Sequence, residues 1–182
     1  MKEFLDFITF PPNDIDQEDY KHLHKADIQL TGASTFYCLP KIDKKNIPTP
    51  LRPVVETVGT KLHALGKWLA KELSFFTKMM ITCIRDSSDV TIKHQNLGVI
   101  NDNDYLFSTD AEAIYPNIDT KEVLTALLLL FETGILECDK TCSIQPLILA
   151  LQLLMTNIAF QFGNTYYRQK KGTAISTPPA SD

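Results

Sequence analysis

Asp110 is the residue of this chain best placed to hold a metal ion. It follows Tyr105-Leu106-Phe107-Ser108-Thr109, an aromatic and β-branched run that predicts a strand. Tyr115 stands five residues further on, and Asp119 then opens a long apolar helical pattern. Strand, turn and helix in that order would present one carboxylate at a strand end. Such a hard oxygen ligand suits Mg2+, which keeps waters and takes substrate phosphates as further ligands. Glu112 is a weaker alternative ligand, because side chains alternate faces if the strand continues.

Two cations offer complementary chemistry. Lys41 and Arg52 flank a proline-rich loop containing Pro48 and Pro50. A guanidinium is a planar fork that can hold two phosphate oxygens at once. Taken alone, the pair also reads as surface charge beside a loop. The wider charge distribution bears on the choice. The net charge of the chain is −4, which by itself argues against a nucleic-acid binder. Residues 1–40 carry a net −4, residues 41–85 a net +6 and residues 86–182 a net −6. A basic block beside an acidic, metal-ready block suits a phosphate-handling enzyme. Chance clustering on solvated faces would give the same pattern.

Other chemistries find little support. The four cysteines, Cys38, Cys83, Cys138 and Cys142, show no secreted disulfide framework. Cys138 and Cys142 form a lone C-x3-C, whereas zinc wants four ligands. Reduced intracellular thiols are therefore expected. The N-terminus has acids inside its apolar run, unlike a signal peptide. Residues 123–131 and 146–160 are too short or too interrupted to span a bilayer and read as buried helices. There is no G-x4-G-K-[ST] phosphate loop and no Ser/His/Asp arrangement. His22, His24, His63 and His94 lack the spacing of an acid–base pair. Phe75-Phe76 and Tyr166-Tyr167 could stack on bases, but helix-end and hairpin packing explains them more simply.

The elements that must position these residues follow from periodicity. Residues 14–26 suggest a polar helix. Phe36 to Leu39 and Arg52 to Glu56 read as short strands. Leu62, Leu65, Leu69 and Leu73 mark one helical face over residues 60–76. A second helix is expected over residues 86–97, capped by Ser87 or Ser88, with Val90, Ile92 and Leu97 as its apolar contacts. Asn101 to Asp104 is a turn. Asp119 is a good N-cap with Glu122 in the capping-box position, and Gly134 suits the C-cap. Ser143 starts another helix that tolerates Pro146 in its first turn. Residues 159–168 read as a hairpin around Gly163-Asn164.

Four ordered segments resemble reverse transcriptases, most closely those of Penelope-like retroelements, over roughly residues 35–180. FYCLPKIDKK, residues 36–45, is similar to the leucine-proline-lysine motif of the fingers, with Asp43 where a histidine is usual. PLRPVV, residues 50–55, is similar to the arginine-proline motif. STDAEAIYPNID, residues 108–119, resembles polymerase motif A. QKKGTAISTPPA, residues 169–180, resembles motif B, with Ile175-Ser176 in place of methionine-glycine.

The resemblance implies an α+β fold of the right-hand type: short antiparallel strands packed against helices, fingers plus a partial palm. It divides the chain into an acidic segment at 1–34, a fingers-like region at 35–100 and a partial palm at 101–182. It implies two-metal nucleotidyl transfer, with two Mg2+ ions roughly 4 Å apart. Asp110 would be the catalytic metal ligand, aided by the Ala111 carbonyl. Lys41 and Arg52 would take the triphosphate of a deoxynucleotide, and Tyr115 would exclude a 2′-hydroxyl. Gln169 and Gly172 would line the template-nucleotide site, with the glycine admitting close backbone approach. Partners would be an RNA or DNA template with its primer and deoxynucleoside triphosphates, in the nucleus or cytoplasm and without a membrane. The paired aspartates of motif C do not occur within the 182 residues. The expectation is therefore that this chain alone is inactive, or that it is a non-catalytic remnant with at most weak nucleic-acid binding.

Overall fold

The computed structural model describes residues 17, 18, 20, 21, 23, 33–42, 45, 47–80, 82–99, 101, 103–133, 144–174, 177 and 178. Among these it is a mixed α+β structure with five helices and one four-stranded sheet. The strands are β1 (Ser34–Pro40), β2 (Leu51–Glu56), β3 (Ala159–Phe162) and β4 (Thr165–Arg168). The helices are α1 (Lys61–Met79), α2 (Ser87–Asn96), α3 (Ile114–Asn117), α4 (Thr120–Glu132) and α5 (Ile144–Thr156).

The leucine stripe of α1 does what its spacing demands. Leu65 and Leu69 are fully buried, and Leu62 and Leu73 pack at the margin. Ala64, Trp68 and Phe76 join them against Leu147, Ala150, Leu151 and Leu154 of α5 and Leu127 of α4. Each fully buried Leu contributes about 1.5–3 kcal/mol of transfer free energy, so this helical layer is the main source of stability. Thr60 caps α1: its hydroxyl accepts from the His63 N–H at 3.4 Å and donates to the Thr57 carbonyl at 2.6 Å. Asp119 caps α4, its carboxylate accepting from the amides of Lys121 at 2.8 Å and Glu122 at 3.4 Å.

The sheet runs in the order β2-β1-β3-β4. β2 and β1 form an antiparallel hairpin with Phe36 opposite Val55 and Leu39 opposite Arg52. The expected hairpin closes β3 and β4 around Gly163, which takes φ +60°, and pairs Phe160 with Tyr167. Pro53 sits on β2, an edge strand, where a missing N–H is tolerated. A small second core of Val55, Ile158 and Ala174, bordered by Phe36, Leu62 and Phe160, fixes the sheet to the helices.

Several expectations need correction. Residues 105–109 form no strand. They are coil with Tyr105 at 91%, Leu106 at 76% and Phe107 at 83% exposure. The composition suits a strand, but no described strand lies beside it to supply the ladder. The strands are not all antiparallel either: β1 and β3 pair in parallel, Ser34 with Phe160 and Thr35 with Gln161. Asp86, not a serine, caps α2, its carboxylate accepting from Asp89 N–H at 2.9 Å. No residue of α2 is buried, and Ile92 and Leu97 face solvent. α5 is largely buried as expected, but Leu127 is the one buried residue of α4, and Leu128 and Leu129 are exposed. No helix among the described residues is long and apolar enough to cross a membrane. Gly134, Cys138, Cys142, Ser143, His22, His24, Asp43, Ile175 and Ser176 lie outside the described residues.

Candidate functional site

The segment holding Asp110 reaches the core only at its C-terminal end. Asp110, Ala111 and Glu112 are exposed coil and turn rather than the tip of a strand. Ala113 then adopts the left-handed conformation, φ 50° and ψ 45°, without a side-chain cap on the single-turn helix α3 that follows. A non-glycine residue there costs roughly 1–2 kcal/mol. The turn is closed locally by Asn117 Nδ2, which donates to the Ala113 carbonyl at 3.1 Å, and by the Ile118 N–H, which donates to the Ile114 carbonyl at 3.1 Å. Tyr115, on α3, is half-buried.

The 169–173 segment docks on this turn. Gln169 leaves the sheet with its N–H on the Ile158 carbonyl at 2.9 Å, and its side-chain amide donates to the Lys171 carbonyl at 3.0 Å. Gly172 donates its N–H to the Ile118 carbonyl at 3.1 Å, and Thr173 donates to the Tyr115 carbonyl at 2.9 Å. Gly172 is buried with φ +80°, and a Cβ placed on it would overlap the Tyr115 carbonyl oxygen and stand 2.6 Å from Pro116 Cα. The glycine is therefore required by the chain's own backbone. Tyr115 and Gly172, more than fifty residues apart in sequence, are brought into backbone contact, with Gln169 three residues before the glycine.

Lys41 and Arg52 form a separate group. The Lys41 N–H donates to the Pro50 carbonyl at 2.9 Å and Arg52 faces Leu39 across the hairpin, so both sit at its far end. In the other group, Gln169 bonds to Ile158, just before β3, and β3 pairs with β1 at Ser34. Five residues of strand separate Ser34 from Leu39, roughly 17 Å along the sheet. The structure does not join the two cations to the Tyr115 turn among the described residues.

Metal chemistry can be tested against the donors present. Asp110 and the Ala111 carbonyl offer two oxygens beside solvent. Among the described residues no three His, Cys, Asp or Glu side chains come together in a way that could hold a metal. The described residues do not by themselves close a metal centre.

One titratable group near the sheet is perturbed. His63, in the first turn of α1, has its pKa lowered, first by burial, then by the charge of Lys67, with Glu56 opposing. Its Nδ1 is buried and makes no hydrogen bond. Asp89 is held below the usual carboxylate range, chiefly by the N–H of Arg85 donating to it at 3.2 Å, and it also pairs with Lys93 at 3.5 Å.

The aromatic pairs divide between packing and solvent. Phe76 is buried against Phe131 with ring centroids 5.1 Å apart, and Tyr167 stacks on Phe160 at 5.7 Å. Phe75, Tyr166 and Tyr167 itself remain exposed. Sequence reasoning missed Ala113, Ile118 and Thr173, whose contributions are backbone conformation and backbone hydrogen bonds; no side-chain pattern announces either. A scan against family models, a search of curated proteins and a search of solved structures each return no match for this chain.

Proposed function

We propose that this chain is a reverse transcriptase domain portion, fingers with part of a palm, of Penelope-like retroelement type. The observation that carries the reading is the docking of the motif B-like segment onto the motif A-like turn through Gly172 and Tyr115. Two segments picked out by sequence for one nucleotide site meet in space. In this reading Asp110 and the Ala111 carbonyl are the residues of this chain that would hold Mg2+. Mg2+ would supply charge neutralisation at the reacting phosphate. Tyr115 lies under the sugar, and Gln169 lines the template side. Lys41 and Arg52 bind phosphates at the hairpin end.

A second reading is a non-catalytic remnant that keeps the fold and binds nucleic acid weakly. The Ile175-Ser176 step, where methionine-glycine is usual, favours it. The test that bears on both is primer–template affinity as a function of salt, followed by primer extension with Mg2+. Binding that weakens steeply with salt supports a phosphate-gripping surface, and extension selects the first reading over the second. Binding that is flat with salt removes the phosphate role of Lys41 and Arg52.

A further inference from the structure

The one-turn helix α3 does not stabilise itself. Four residues are far too few for an autonomous helix. It begins at a left-handed Ala113 and has no side-chain cap. Its position is set from outside, by the amides of Gly172 and Thr173 on the carbonyls of Ile118 and Tyr115. The Tyr115 carbonyl both accepts the Thr173 bond and lies nearest to a Cβ built at Gly172. Any side chain at 172 therefore pushes on Tyr115 itself.

We propose that Gly172 is a positioning residue for sugar selection, acting through the backbone of Tyr115. This rests on the reading of Tyr115 as the residue that meets the nucleotide sugar. A side chain that discriminates by steric exclusion works only while its backbone is fixed, and displacements of about 1 Å can cost 10²-fold at such sites. Gly163 is the internal control. It also has a positive φ, +60°, but nothing stands within 4 Å of its would-be Cβ. Thr173→Pro is the second probe: it removes the N–H that reaches the Tyr115 carbonyl, while also replacing the side chain and fixing φ at 173.

The experiment compares wild type, Gly172→Ala, Thr173→Pro and Gly163→Ala, each checked for fold by far-ultraviolet circular dichroism. Amide hydrogen exchange is followed over residues 113–119, with the fluorine resonance of 3-fluorotyrosine placed at 115. Affinities for dUTP and UTP, which differ only in the 2′-hydroxyl, are measured with Mg2+. Gly172→Ala and Thr173→Pro are expected to raise exchange over 113–119 about tenfold, to move the fluorine resonance, and to narrow the dUTP preference about tenfold. Gly163→Ala should do none of these. An unchanged turn in both variants, or an intact dUTP preference once the turn has moved, overturns the positioning role alone. A wild-type chain with no preference for dUTP overturns the reading of Tyr115, and the sugar-selection role of Gly172 falls with it.

Discussion

The carbonyl of Tyr115 is the nearest heavy atom to the space a side chain on Gly172 would occupy, with Pro116 Cα next at 2.6 Å. Both neighbours are backbone, so neither can swing aside as a side-chain tip would. Gly172→Ala therefore carries two costs: a left-handed non-glycine residue, about 1–2 kcal/mol, and an overlap of about 1–3 kcal/mol. Gly163→Ala carries only the first. Chemical denaturation of the two variants should show Gly172→Ala less stable than Gly163→Ala by at least about 1 kcal/mol. Equal losses would mean that the 169–173 segment is not docked on the turn.

Ala113 holds a conformation that glycine adopts freely. Ala113→Gly should relieve about 1 kcal/mol of strain in the folded state, offset in part by greater freedom of the unfolded chain. The net expected change is zero to about 1 kcal/mol stabilising, read from the denaturation midpoint. A clear loss of stability would show that the left-handed conformation is wrong.

The Asp119 carboxylate takes two amides of the first turn of α4. Asp119→Ala should cost about 1 kcal/mol, and Asp119→Asn much less. A thermal melt of each variant distinguishes them. If both lose the same stability, charge at the helix N-terminus rather than the hydrogen bonds accounts for the effect.

His63 gives the fold a pH dependence. Its folded pKa lies below its unfolded value of about 6.5, so the unfolded state binds the proton more readily. The neutral imidazole's contribution is fully present above about pH 6.5 and declines as pH falls from there towards the folded pKa. His63→Gln should flatten the fall in melting temperature between about pH 7 and pH 5. An identical slope in wild type and variant would assign the acid sensitivity elsewhere.

Local signals were legible and distant ones were not. The Gly163-Asn164 turn, the Asp119 cap and the α1 leucine stripe depend on neighbours within one helix or hairpin, and each formed as its residues dictate. The 105–109 run fails as a strand because strand preference expresses packing against a partner, and the run itself names none. The parallel pairing of Ser34 with Phe160 joins residues more than a hundred positions apart, beyond what periodicity encodes. At α2 the run Asp86-Ser87-Ser88 offers three adjacent capping residues, and the amide of Asp89 selects the first. Gly172 was legible as a glycine needed for close approach, yet only the fold reveals that what approaches is the backbone at Tyr115.

The most direct measurement of the central reading is titration of dTTP into the chain with and without Mg2+, for wild type and Asp110→Ala. If Asp110 helps to hold Mg2+ for a bound nucleotide, Mg2+ should tighten wild-type binding about tenfold or more and leave Asp110→Ala unaffected. An equal Mg2+ effect in both proteins, or none in either, would contradict it.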